Sequence, residues 1–175
     1  NRLNAIHEGT HGIHGLDLLG RKVTLQDGAL FRAFGGELRK TVRKVRGSVG
    51  APDAVGPGLA TISVELLAHA DALEQAWQGV EEVTQKLYAV GDLNKTLANA
   101  SLYLEAVGHV VVAWIWLQQA LLAAASLASG DTDFYRGKLQ ACQYFFQWEL
   151  PKVGPQLALL ASIDTTTLDM QDAWF

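Results

Sequence analysis

One cysteine, Cys142, stands in a chain of 175 residues. An intrachain disulfide is therefore excluded, and a reducing, cytoplasmic setting is the expectation. Charge is scarce as well: Asp, Glu, Lys and Arg make up 18% of the chain, with a net charge of −4. No basic run is long enough to give a nucleic-acid footprint. Lys40, Arg43, Lys44 and Arg46 cluster, but on a helix whose other face is apolar, so they read as a solvated face, with a phosphate contact as the alternative. No segment combines apolar–polar alternation with the turn chemistry of a sheet. A charged n-region followed by an apolar h-region is also missing, so no signal peptide is expected. The chain starts at Asn1, inside a motif, and a fragment of a longer protein is expected. What is present, 49% apolar residues, is the composition of a packed globular protein with a substantial core.

Almost all of it reads as helix. Ile62, Leu66, Ala70, Leu73, Trp77, Val80, Val83, Leu87 and Val90 recur in steps of three and four, so one face of a long helix is apolar. Pro57 suits its first turn and Gly91 its end. Asp92 is placed to cap a further helix running through Leu97, Leu104, Val107, Val111, Ile115 and Leu121 to about Leu127. Earlier, Leu30, Phe31, Phe34, Leu38, Val42 and Val45 define a helix ending at Gly47, and Ser48–Gly56 is a loop. Ser129-Gly130-Asp131 is a stop and restart. A helix from Thr132 carries Phe134, Leu139, Cys142, Phe145 and Phe146, and Pro151 kinks it or ends it near Leu150. Val153–Ala161 continues, and Thr165–Phe175 reads as a docked or frayed tail. The fold class is all-α: an antiparallel bundle of long helices preceded by a short N-terminal helix.

Val107–Ala128 is long and apolar enough to cross a bilayer. Gln118 and Gln119 near its middle would be costly there, so a buried central helix is expected and no membrane span. Its many alanines let neighbouring helices approach closely.

The front of the chain carries the chemistry, and it reads in two ways. From His7 it is His-Glu-x-x-His, a zinc-hydrolase signature if both histidines share a helix face. Gly9 and Thr10 in the middle are poor residues for a helix interior. His14 is available as a third ligand and Asp17 as an improvised one, and only six residues precede the motif. From Glu8 it is Glu-Gly-Thr, then Gly12-Ile13-His14, then Asp17-Leu18 and Gly20-Arg21-Lys22. A carboxylate followed by glycine puts a base beside a close backbone approach. Thr10 is a natural N-cap for a helix from about His11 to Val23, whose free N–H groups suit phosphate oxygens.

This second pattern resembles the Glu-Gly-Thr segment of the acyl-CoA dehydrogenase superfamily. More narrowly, the chain is similar to its larger members, which carry an extra C-terminal helical domain called acetyl-CoA dehydrogenase C-terminal-like. The specific motifs occupy about the first twenty-five residues; the remainder resembles the plan of long Ala- and Leu-rich helices with an aromatic tail. The resemblance implies a flavoenzyme using FAD to dehydrogenate an acyl-CoA thioester in fatty acid metabolism. Glu8 is then the α-proton base, and Gly9, Thr10 and His14 lie at the cofactor. Arg21 and Lys22 close the helix C-terminus. The chain departs from the pattern at His7, often aromatic in relatives, at His11, often Asn, and at His14, often a Gln that reaches the cofactor.

The resemblance implies two parts, with residues 1–25 ending the dehydrogenase helical domain and residues 26–175 forming an accessory bundle. Upstream domains of the same protein, an acyl-CoA substrate, an electron acceptor and a homo-oligomer are the implied partners. The chain alone is expected to be inactive and to retain FAD poorly. Two alternatives stay open: a helical structural or oligomerisation module, and a zinc site at His7, His11 and His14. His69 and His109 read as core or interface histidines. Trp114 and Trp116 lie two apart and cannot share a helix face, so one is expected in the core and one against a second layer or a partner.

Overall fold

The computed structural model describes residues 10–49, 57–127 and 131–174. Among them there is no strand. The helices are α1 (Thr10–Asp17), α2 (Leu25–Val49), α3 (Pro57–Ala89), α4 (Leu93–Leu97), α5 (Ala100–Ser126), α6 (Thr132–Tyr144), α7 (Val153–Ala161) and α8 (Thr166–Asp169). A π-helical turn, Leu18–Lys22, continues α1. A second π-helical turn, Phe145–Glu149, and a 3-10 turn, Leu150–Lys152, join α6 to α7. The chain divides into two compact units: Asn1–Ala33 with Gly79–Gly108 and Gly154–Phe175, and Phe34–Gln78 with His109–Val153. We call them the first and second unit.

The first unit buries Leu19, Val23, Val80, Val83, Leu87, Tyr103, Ala106 and Leu160. Helix α3 ends as expected: Gly91 takes a left-handed φ of 70°, and the Asp92 carboxylate accepts from the N–H groups of Asn94 and Lys95. The helix it starts is not one helix to Leu127, however. It breaks after Leu97, and α5 begins at Ala100. Polar side chains hold the break: the Thr96 hydroxyl donates to Leu87 O at 2.9 Å, and Asn99 Nδ2 donates to Asp164 O at 2.8 Å. The start of the tail is tied down, since Thr167 Oγ1 donates to Ala98 O, while Leu168, Met170 and Trp174 beyond it are exposed. Between α1 and the body of α2, Gln26, Asp27 and Gly28 all adopt left-handed backbone, with φ of 53°, 54° and 78°. For Gln26 and Asp27 this costs on the order of 1 kcal/mol each. Arg32 stabilises the turn by donating to Asp27 O at 2.7 Å.

In the second unit α2 and α3 are antiparallel, since Phe34 meets Trp77 while Arg46, further along α2, pairs with Asp71 and Glu74, earlier on α3. Helices α5 and α6 are also antiparallel: Gln119 accepts from Lys138, and His109 faces Glu149. Buried residues are Leu38, Val42 and Val45 of α2, Leu66, Ala70, Leu73 and Trp77 of α3, and Cys142, Phe146 and Leu150 beyond. The α-helical stretch ends at Tyr144, ahead of Pro151; the π-helical turn and the 3-10 turn that holds Pro151 absorb the change of pitch before α7.

Two further expectations are corrected. Helix α2 runs to Val49, two residues past Gly47. The buried stripe of α5 is Tyr103, Ala106, Val110, Ala113, Leu117, Ala120 and Ala123, one residue out of phase with Leu104, Val107, Val111 and Leu121. Small residues allow close approach and take the inner face. Helix α5 is the one described helix long and apolar enough to span a bilayer. It is not buried all round, since Val112, Ile115 and Leu122 are exposed.

Candidate functional site

Two members of the proposed base segment, Glu8 and Gly9, lie outside the described residues, as does His7 of the zinc alternative. The remaining members sit on α1. Thr10 is its first residue, and His14 lies four residues on, so the two side chains share a helix face. Thr10, His11 and His14 are exposed. An accessible hydroxyl and imidazole beside a helix amino end can meet phosphate or ring oxygens, so the residues fit one edge of a flavin site. They are an edge and not an enclosing pocket.

Asp17, the improvised metal ligand, is already engaged. Arg21 Nε donates to its carboxylate at 2.6 Å, and this bond holds the Asp17 carboxyl below its ordinary pKa. No three His, Cys, Asp or Glu side chains converge as a metal site among the described residues.

What holds α1 in place is a short set of contacts inside the first unit. Gly15 is its one buried residue. A Cβ built on Gly15 would stand 2.6 Å from Ala100 O and 2.7 Å from Ala100 C, so any larger residue collides with backbone. The π-helical turn that follows bonds Val23 N to Leu18 O at 3.0 Å. The next carbonyl, Leu19 O, accepts from the Tyr88 hydroxyl of α3. Burial raises the Tyr88 pKa, with a Thr24 hydrogen bond opposing it. Beside α1 lies a surface groove of about 430 Å³, lined by Gly12, Leu16, the α4–α5 junction and Thr167. Gly12-x-x-Gly15 was the available sequence signal for the close approach; nothing local pointed to Tyr88.

The other singled-out residues pack. His69 stacks on Phe146 at 4.4 Å and 16°, and desolvation lowers its pKa. His109 Nε2 lies 3.6 Å from Glu149 Oε2. Neither tryptophan of α5 is fully buried. Trp114 donates to Thr41 Oγ1 at 2.8 Å and meets Phe34 edge-on, while Lys138 Nζ lies 5.5 Å from the Trp116 ring. The Cys142 thiol is buried, and desolvation pushes its pKa up to about 12, so it is a packing residue. In the α2–α5 groove of about 260 Å³, Lys40 and Lys44 flank Trp114, Leu121 and Leu122. Lys40 is paired there with Glu37 at 2.6 Å, as a solvated helix face requires.

The sequence profile of the acetyl-CoA dehydrogenase C-terminal-like family matches residues 34–171, and the chain belongs to that family. It is 24% identical to the broad-specificity linear acyl-CoA dehydrogenase FadE5 of Mycobacterium tuberculosis, over 99% of this chain and 28% of that protein. It is 23% identical to the butyryl-CoA dehydrogenase of Syntrophomonas wolfei, over 96% of this chain and 26% of that protein. A 3-methylmercaptopropionyl-CoA dehydrogenase of Ruegeria pomeroyi is 29% identical, over 83% and 23% respectively. The chain thus spans about a quarter of the length of the curated relatives it matches.

Proposed function

We propose that this chain is the C-terminal part of a flavin-dependent acyl-CoA dehydrogenase that carries out α,β-dehydrogenation of an acyl-CoA thioester. The observation that carries the reading is the extent of the likeness to FadE5. At 99% of the chain it takes in the front Glu-Gly-Thr segment as well as the accessory helices. Residues 1–25 then end the dehydrogenase helical domain and residues 26–175 are the accessory bundle. The left-handed turn at Gln26–Gly28 supports a boundary there.

In this reading Glu8 is the base. Its carboxylate takes the proton from the substrate Cα, the electron pair of that C–H bond becomes the Cα=Cβ double bond, and the Cβ hydrogen departs as hydride. FAD, when bound, supplies the hydride acceptor, and an external electron acceptor restores it. Gly9, Thr10 and His14 hold one edge of the cofactor, and the upstream domains enclose the rest. The 175-residue chain alone is therefore inactive and keeps FAD weakly. The protein works in the cytoplasm, which fractionation would check.

The test uses the intact protein that carries this sequence. It should show a bound-flavin spectrum and acyl-CoA-dependent dye reduction. Glu8→Gln should lower kcat by about 100-fold or more, the contribution of a positioned base, with the spectrum unchanged. A colourless intact protein, or a Glu8→Gln variant of ordinary activity, would remove the reading.

One observation favours a second, compatible role in assembly. Tyr144 and Trp148 are exposed and stacked, with centroids 6.3 Å apart, and large aromatics of this kind anchor protein interfaces. Sedimentation of the intact protein tests it: a strict monomer at high concentration would exclude a homo-oligomeric role.

A further inference from the structure

Building on the assembly reading above, we propose that two copies of this protein meet on the outer face of α6. The two helices lie antiparallel about a two-fold axis level with Leu139.

Helix α6 buries Cys142, and Phe146 and Leu150 continue that inner face through the π-helical turn. The outer face is apolar too. Phe134, Tyr144 and Trp148 are 56%, 55% and 65% exposed. Phe134, Gly137, Ala141, Tyr144 and Trp148 follow one another at steps of three and four residues, so they fall on one stripe. Its middle is uncovered, because a Cβ built on Gly137 would meet no neighbouring atom within 4 Å. Its ends are held. The Asp131 carboxylate accepts from Phe134 N at 3.1 Å and starts the helix there, and Tyr144 is stacked with Trp148.

The stripe is large enough to matter. Three aromatic side chains of about 150–250 Å² each, all more than half exposed, present roughly 250–450 Å² per copy. A stable interface buries about 800 Å² per partner, so these three supply a third to a half of it. Gln140 and Gln147, exposed and uncharged, border the stripe.

The order of residues along the stripe points to a second copy as the occupant. Phe134 and Tyr144 are each five residues from Leu139, and Gly137 and Ala141 are each two residues from it. A two-fold axis at that level sets Phe134 against Tyr144 of the second copy, and Gly137 against Ala141, each pair occurring twice. An isologous contact requires such self-complementarity, and a foreign partner would not impose it. The small residues at the centre let the helix axes approach to about 8 Å, so the aromatic rings on either side reach across. Lys138 is the cation nearest the axis, and it is drawn away from its symmetry mate. It donates to Gln119 Oε1 of α5 at 3.1 Å and lies 5.5 Å from the Trp116 ring.

The experiment is sedimentation of the intact protein with a charge exchange across the axis. Phe134→Lys and Tyr144→Glu, each at an exposed position, should singly weaken self-association about 30-fold or more. Within one chain the two positions lie about 15 Å apart along the helix and cannot pair. The double variant should regain at least about tenfold in affinity, because the introduced charges meet between copies. A cross-link reads this face even where other surfaces also join the copies. Ala141→Cys should be joined to its mate by a thiol reagent of about 10 Å span, whereas Val64→Cys, exposed on α3, should not. The native Cys142 is buried and stays unreacted. Unchanged association in both single variants, with no cross-link at position 141, overturns this face and leaves assembly to another surface. Losses without recovery in the double variant overturn the two-fold register. Equal cross-linking at Val64→Cys reduces the signal to collision and overturns it as well. A strict monomer at high concentration removes the assembly reading and this interface together. If that monomer sediments with phosphatidylcholine–phosphatidylserine vesicles and Tyr144→Glu does not, the face meets a bilayer instead.

Discussion

The two units are held by different means. In the first, the cross-helix ties are mostly hydroxyls and amides reaching single backbone or side-chain atoms: Thr84 to Tyr103 at 2.6 Å, Thr96 to Leu87, Tyr88 to Leu19, Asn99 to Asp164. In the second, rings meet rings. Phe34 stands edge-on to Trp77 and to Trp114, at 5.1 and 5.3 Å, and His69 lies flat on Phe146. A hydrogen bond contributes modest net stability but fixes two atoms. A buried ring contributes far more through area and tolerates small slips. The unit that carries α1 is thus built for geometry, and the other for cohesion. The sharpest way to break the comparison is Trp77→Ala, the largest effect expected. Trp77 is 1% exposed, and its indole abuts Gly35, where an added Cβ would fall 2.5 Å from Nε1. The substitution should cost about 3–5 kcal/mol, read as a lower denaturant midpoint at unchanged slope. A loss below about 1 kcal/mol would mean that rings do not hold the second unit.

The matching probe in the first unit is Tyr103→Phe. Tyr103 is fully buried, and burial drives its phenol pKa far up. Phenylalanine keeps the ring and removes the bond to Thr84, whose hydroxyl retains its bond to Val80 O at 2.6 Å. The expected cost is about 1 kcal/mol, with the same urea titration as the check. A cost as large as that of Trp77→Ala would erase the distinction between the units.

The same contrast governs how much could be read in advance. Helix α3 was legible because its polar residues fall on one side: Leu66, Ala70, Leu73, Trp77, Val80, Val83 and Leu87 are all buried as their spacing implied. Helix α5 is apolar nearly all round, so period fixed its existence but not its phase, and the inner face went to alanines. Asp92 and Gly91 marked a cap and an end because both act through local geometry. The break at Ala98–Asn99 depends on Asn99 reaching Asp164, 65 residues away, and no local pattern encodes it. The candidate site divides in the same way. Thr10 and His14 share a face because helical spacing says so, whereas Tyr88 reaches Leu19 across 69 residues.

His69 gives a smaller and pH-dependent effect in the second unit. Desolvation depresses its folded pKa below the ordinary 6.5. Below that value the unfolded chain binds the proton first, so stability rises with pH. It is complete above about 6.5 and falls as pH drops from there toward the folded pKa. The slope is bounded by one proton, about 1.4 kcal/mol per pH unit. Glu149, held low chiefly by its hydrogen bond to Lys152, loses its contribution only in the more acid carboxylate range, so the two windows separate. Urea midpoints between pH 7.5 and 5 should fall in the wild type, and less steeply in His69→Gln. An unchanged slope would assign the acid sensitivity to another group.

The smallest effect belongs to the ion pairs on the rim of that unit. Arg46 donates to Asp71 at 2.6 Å and to Glu74 at 2.8 Å, and these bonds raise its pKa. The geometry is good, but the partners stand in solvent, where side-chain entropy and screening offset most of the attraction. Arg46→Ala should therefore barely move the melting temperature, and the difference should vanish at about 1 M salt, where the screening length is about 3 Å. A salt-insensitive loss would point to packing of the Arg46 stem over α3 instead of its charge, and cohesion in this unit would then extend from its rings to its rim.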